Sequence, residues 1–230
     1  MPPSPPRRTS ASRSMAARPR FRRFAHALNA GRSGFGTPAA DRAWAETRSC
    51  LLGWGAGTPA DAPMASVLAS LWLGRSALPP RLGLRAWGVR ALVRECFPGW
   101  PRHVALPRPI AAAPCRLGQT GVVEEIRDLE RLLLSGRATA TPGARRLAKL
   151  LAVGCMGYGH MWRDMGFASR AELRALLATA SPKVVRRNTR DMRWKKFLYR
   201  ELCKSEAGYV CRAPSCDACV GYAECFGVEE

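Results

Sequence analysis

The sequence predicts an all-α protein: a compact helical domain followed by an irregular cysteine-rich loop that a metal puts in order. Three observations point there. Apolar residues recur at helical spacing in segment after segment. No stretch alternates apolar and polar residues over a useful length, as a half-buried strand would. The helical pattern then stops at Leu202, immediately before a run of cysteines.

Residues 1–63 are rich in Pro, Arg, Ser, Ala and Gly. Up to position 60 their charge is ten Arg against Asp41 and Glu46. They show no apolar period and read as a disordered basic tail. Periodicity begins at Met64, so the domain is expected to start there and to fold without the tail. Met64, Val67, Leu68, Leu71 and Trp72 share one helical face, and Pro79-Pro80 ends that segment. Val89, Leu92, Val93, Cys96 and Phe97 repeat the pattern. From Phe97 to Pro114 the chain carries five prolines and reads as a loop.

Val122, Ile126, Leu129 and Leu133 mark the next helix. Thr141 followed by Pro142 is an N-cap with proline at the first helical position, opening a helix that carries Leu147, Leu150, Leu151 and Cys155. Ser169 and Glu172 have capping-box spacing ahead of Leu173, Leu176 and Leu177. Ser181-Pro182 opens the last long helix. Trp194, Phe197, Leu198 and Leu202 form its apolar stripe, and Arg186, Arg187, Arg190, Arg193 and Lys196 lie mostly off it. The organisation is therefore a tail over 1–63, a helical domain over 64–202 and a cysteine-rich segment over 203–230.

Of the 230 residues, 47% are hydrophobic, enough for a core that needs no disulfides. Lys and Arg outnumber Asp and Glu by 37 to 17. A net charge of +20 suits an anionic partner, although the arginines are spread along the chain rather than gathered in a patch. No apolar run is long enough to span a bilayer, and no apolar segment follows the early basic residues as in a secretory signal. A cytoplasmic protein is expected, and its nine cysteines should remain thiols. No Ser/His/Asp set, phosphate loop or dinucleotide fingerprint is visible, so metal handling is expected rather than turnover of an organic substrate.

The chemistry concentrates in Cys211, Cys216, Cys219 and Cys225, spaced Cys-x4-Cys-x2-Cys-x5-Cys among Gly and Pro. Cys-x2-Cys lets one tight turn present two sulfurs to a common centre, and a metal can then order a loop too polar to fold alone. Soft thiolates select zinc, copper(I) or iron–sulfur clusters. Structural zinc usually takes two separated knuckles, whereas a continuous run favours a cluster, although the spacings are not those of ferredoxins. Cys203 stands just before the run. Farther upstream, Cys155 and His160 lie among Gly154, Gly157 and Gly159. They either add ligands to a metal centre or form a helix–helix corner with a core thiol and a structural histidine. The stretch Arg193-Trp194-Lys195-Lys196-Phe197-Leu198-Tyr199-Arg200 mixes basic and aromatic residues. It fits an amphipathic helix with a charged face better than a nucleic-acid surface, and its charges can offset a thiolate-bound cluster or attract an oxyanion.

At these residues the chain resembles the NifQ family. The resemblance rests on Asp191-Met192-Arg193-Trp194-Lys195-Lys196-Phe197-Leu198-Tyr199 with Leu202-Cys203, and on the four-cysteine run followed by Phe226-Gly227. A second block is Cys155-Met156-Gly157 with His160, Trp162, Asp164 and Gly166. Weaker matches are Leu78-Pro79 with Leu82-Gly83-Leu84, and Glu130 with Leu132-Leu133-Leu134. The resemblance covers about Leu78 to Glu230. It implies an iron–sulfur protein that also binds molybdenum, taken up as molybdate or a molybdenum–sulfur species. It further implies delivery to the NifEN scaffold and NifH during assembly of the nitrogenase iron–molybdenum cofactor. On that reading Cys211, Cys216, Cys219 and Cys225 hold the cluster, with Cys203, Cys155 and His160 as further candidates. Two rival expectations are a zinc-stabilised nucleic-acid-binding protein and a redox enzyme that uses the cluster for electron transfer.

Overall fold

In a computed structural model, residues 21–29, 37–109, 115–205 and 222–227 are described. Among them helices account for nearly all regular structure. The one β-type pairing is an isolated antiparallel bridge between Cys115 and Gly157. Residues 21–29 form α1. The chain continues through α2 (Pro38–Leu52), α3 (Asp61–Trp72), α4 (Ala86–Cys96), α5 (Val122–Ser135), α6 (Pro142–Gly154), α7 (Met161–Met165), α8 (Arg170–Ala180), α9 (Pro182–Arg187), α10 (Trp194–Ser205) and α11 (Tyr222–Phe226).

The centre of the fold is α3. Its large residues Met64, Val67, Leu68, Leu71 and Trp72 are buried as the periodicity requires, but so are Ala65, Ser66, Ala69 and Ser70 on its other side. That second face is small, which lets another helix approach closely, and α2 packs there. Two cross-links fix the pair: Trp44 Nε1 donates to Ser70 Oγ at 2.7 Å, and Arg48 Nε donates to Ser66 Oγ at 2.8 Å. Arg48 also forms an ion pair with Glu172 on α8 at 2.6 Å.

The expected boundary at Met64 therefore moves towards the N-terminus. Thr37 caps α2, its Oγ1 accepting from Ala40 N at 3.2 Å, and Pro38 opens the helix. Leu51 and Trp54 are buried. So is Phe24 of α1, whose ring meets those of Trp54, Trp72 and Trp100 at 5.5, 5.7 and 5.3 Å, all edge-on. The apolar positions of α1 and α2 are few and spread among alanines and arginines, so no period shows in the sequence. Residues 1–20 lie outside the described part.

The expected helices at α4, α5, α6 and α8 are present, and Ile126, Leu129, Leu133, Leu150, Leu151, Leu173 and Leu176 are buried in one core. Thr141 Oγ1 accepts from Ala144 N at 3.2 Å, as an N-cap should. Ser169 Oγ caps Glu172 N at 3.3 Å. The reciprocal half of that capping box is displaced: Glu172 Oε2 accepts from Ala168 N at 2.9 Å, while Oε1 takes Arg48.

The last long helix divides in two. α9 ends at Arg187, and α10 begins only at Trp194. The Asn188 side chain both donates to Met192 O and accepts from Met192 N, each at 2.8 Å, so it competes with the helical backbone ladder. Asp191 takes φ 51°, a left-handed conformation that a continuous helix excludes. The expected apolar stripe is present beyond the break, with Trp194, Phe197 and Leu198 buried.

Candidate metal centre

The N-terminal end of α10 gathers the two sequence blocks that the chemistry singles out. Arg193 N donates to Cys225 O at 2.7 Å, and Arg193 Nε donates to Gly227 O at 3.2 Å. The Tyr222 and Phe226 rings stack at 4.6 Å, and the Arg190 guanidinium lies 5.1 Å from the Phe226 ring. These contacts fasten α11, with half-buried Cys225, against the start of α10. The positive end of the helix dipole favours negative charge there.

Cys203 is placed differently. Ten residues separate it from Arg193 in sequence, which puts it about 15 Å along the axis from the point where Cys225 is anchored. Cys211, Cys216 and Cys219 lie outside the described residues. Among the described residues no three His, Cys, Asp or Glu side chains converge on a point where an ion could sit. The donor set itself, four thiols in one short run, fits a thiolate-held cluster or soft metal.

The glycine block meets α10 through Lys195. Its Nζ donates to Gly157 O and Gly159 O, each at 2.6 Å, and to Asp164 Oδ2 at 2.5 Å. Both members of the Lys195–Asp164 pair are largely buried, at 17% and 15% side-chain exposure. Two of the charges on the Arg193–Arg200 stretch that were expected to face a cluster or an oxyanion are thus committed to protein partners: Lys195 here and Arg193 on the 225–227 backbone.

Cys155 occupies the corner position. Its Sγ donates to Leu151 O at 3.5 Å and lies 4.0 Å from Met161 Sδ. Burial pushes the thiol up to about 12, offset in part by Lys195 and reinforced by Glu125. Without a metal beside it, burial favours the protonated thiol at neutral pH. His160 is half-buried at the N-cap of α7, where its carbonyl accepts from Asp164 N at 2.9 Å. Cys155 and His160 therefore flank the same glycine loop, one in the core and one at the start of α7.

Sequence reasoning missed the lid over this loop. Cys115 pairs with Gly157, and Arg116 N donates to Met156 O at 3.0 Å. Arg116 grips Glu125 with two hydrogen bonds of 2.9 and 2.7 Å, and Tyr199 O–H donates to the same carboxylate. Burial and that carboxylate raise the Tyr199 phenol well above its ordinary value. The network joins the 115–120 segment, α5 and α10 across the glycine block. Only the position of Glu125, in the first turn of a helix, is visible in sequence.

The glycines are required by close approach. A Cβ on Gly157 would stand 2.3 Å from Asp164 Oδ2 and 2.7 Å from Asp164 Cβ. Gly166 has φ +78°, and a Cβ there would meet Ser70 Cβ at 2.2 Å, just where Ser70 Oγ donates to Gly166 O at 2.7 Å. Gly166→Ala combines left-handed strain with overpacking and should cost about 2–4 kcal/mol. Chemical denaturation of the variant beside wild type checks this, and a loss below about 0.5 kcal/mol would contradict the close packing of α7 on α3.

Comparison with known proteins bears on these same blocks. The NifQ family model matches residues 63–227, a span that takes in the glycine block, α10 and Cys225. The chain belongs to the NifQ family. It is 39% identical to Protein NifQ of Azotobacter vinelandii over 160 residues, covering 68% of this chain and 82% of that one. Identity to Protein NifQ of Klebsiella pneumoniae is 36%, covering 69% and 96% of the two chains. The likeness to a NifQ homolog of Sinorhizobium fredii, 32% identical, extends over 89% of this chain and 90% of the other. No solved structure matches the chain.

Proposed function

We propose that this NifQ-family protein of nitrogen fixation is a metal donor: it carries an iron–sulfur cluster and supplies molybdenum for the nitrogenase iron–molybdenum cofactor. The observation that carries the reading is the fastening of Cys225 at the N-terminal end of α10 by Arg193, at 2.7 Å to the backbone. The described chain stops at the far end of α10 and resumes, with Cys225, at its near end. Cys211, Cys216, Cys219 and Cys225 would hold the cluster, whose sulfur provides soft donors for a molybdenum atom. The protein residues supply the frame. Arg193 and the helix dipole favour negative charge at Cys225, and the Lys195 clamp fixes the helix to the domain.

A thiolate site holds a soft metal firmly, so release should require a partner that docks over the loop and offers competing ligands. The expected recipients are the NifEN scaffold with NifH, with molybdate or a molybdenum–sulfur species as the incoming form.

The test is anaerobic. Purified protein should contain iron and sulfide. Cys216→Ala or Cys219→Ala should remove most of the iron, whereas Cys203→Ala and Cys115→Ala should keep it. Molybdenum-loaded protein mixed with scaffold, NifH, reductant and nucleotide, with free molybdate chelated, should pass molybdenum to the scaffold fraction, and the Cys219→Ala protein should not. Equal iron in all four variants removes the ligand assignment. A colourless protein with bound zinc supports the nucleic-acid-binding rival instead. Equal molybdenum delivery by wild type and Cys219→Ala, or none by either, removes the donor role.

A further inference from the structure

A groove of about 480 Å³ lies between α4 and the 98–109 segment, away from the residues of the candidate metal centre. The apolar lining of its floor includes the half-buried Val89, Val104 and Leu106 beside the buried Trp72, Val93 and Trp100. Its rim carries Arg81, Arg90, Arg94 and Arg102, and no Asp or Glu is among the residues that line it. Elsewhere among the described residues some arginines are paired, as in Arg48–Glu172, Arg116–Glu125 and Arg170–Asp191, while others such as Arg145 and Arg174 form no ion pair. The four rim guanidinium groups make no ion pair among the described residues. Arg90 and Arg94 stand four apart on one helix, where like charges repel. The acidic residue beside them, Glu95, turns away to pair with Arg146. Exposed like charges gathered over an apolar floor oppose stability, and a bound anion would relieve them.

We infer that this groove docks an acidic, amphipathic segment of a partner protein, most simply a helix with one apolar face. A small oxyanion would use the rim but gain nothing from the floor, and it would fill little of the volume. A nucleic-acid backbone would meet the rim with phosphates and leave the half-buried apolar side chains Val89, Val104 and Leu106 uncovered. An amphipathic acidic helix satisfies both: its apolar stripe covers the floor, and its flanking carboxylates reach the arginines. The arginines then act chiefly on encounter rate and partner choice, and the floor on dwell time.

The experiment uses the full chain and a fluorescently labelled synthetic peptide with leucines at i, i+3, i+4 and i+7 and glutamates on the flanks. Anisotropy should report saturable binding that weakens with added salt. R90E/R94E should weaken it about tenfold or more, and R90Q/R94Q by a smaller factor. R145E/R174E makes the same charge change on exposed arginines outside the groove, and it should leave the affinity within about twofold, because rim-specific contacts are untouched. Arg90 and Arg94 are exposed and form no ion pair among the described residues, so circular dichroism of their variants should match wild type. If a charge-reversed variant loses helix content, the glutamine pair decides. The proposal is overturned if the peptide does not bind, or if a scrambled peptide of the same composition, ATP or duplex DNA binds as tightly. It is equally overturned if R90E/R94E and R145E/R174E have equal effects.

Discussion

A chain that begins at Met64 should fail to fold cooperatively. The expectation runs against the composition of the N-terminal third but follows from its packing. Phe24 is 1% exposed, Leu51 is fully buried and Trp54 is 3% exposed, all in the core shared with α3 and α4. Removing a buried Phe or Trp side chain costs about 3–5 kcal/mol each, and the truncation also uncovers the serine-and-alanine face of α3. Ser66 and Ser70 lose their donors Arg48 and Trp44, and Glu172 on α8 loses its cation. Together these losses are comparable to the roughly 5–15 kcal/mol that keeps a domain folded. Far-UV circular dichroism and urea titration of the truncated and full chains would check it. Phe24→Ala in the full chain should alone lower the stability by about 3–5 kcal/mol. A Met64 chain with full helix content and an unchanged midpoint would show that α1 and α2 are accessory.

The contrast between α3 and α2 explains how much of the fold was legible. α3 announces itself because its large apolar residues repeat at helical spacing. α2 contributes through Ala40, Ala43, Thr47 and Leu51, a stripe too small to register as a period. The aromatic knot of Phe24, Trp54, Trp72 and Trp100 comes from four separate segments, and no local window contains it. The break at Asn188 was hidden for a similar reason: a side-chain bridge to Met192 decides it, and periodicity on either side continues. At the candidate centre, the thiol run was visible because ligand spacing is local. That Cys203 and Cys225 sit at opposite ends of α10 was not, since it depends on where α11 docks. The position of Cys115 opposite Gly157 is likewise a tertiary fact, and so is the Glu125 network.

Lys195 should prove the most sensitive charged residue in the fold. Sequence places it among other cations on an amphipathic helix, where any one would be replaceable. In the structure three oxygens surround its ammonium group, two of them carbonyls of the glycine loop and one the largely buried carboxylate of Asp164 on α7. Lys195→Met keeps the length and apolar stem but leaves that carboxylate uncompensated, which costs about 3–5 kcal/mol for a buried pair. Lys195→Arg should recover only part of this, because a planar fork does not replace a compact ammonium among three converging acceptors. Asp164→Asn alone should cost less, since the amide is neutral. Adding it to Lys195→Met should return about 1 kcal/mol or more, the coupling expected of groups in contact. Urea unfolding of the four proteins beside wild type measures every term of this cycle. If the two single losses simply add, Lys195 and Asp164 do not act as a pair. The tie between the glycine block and α10 would then rest on the Glu125–Tyr199 contact instead.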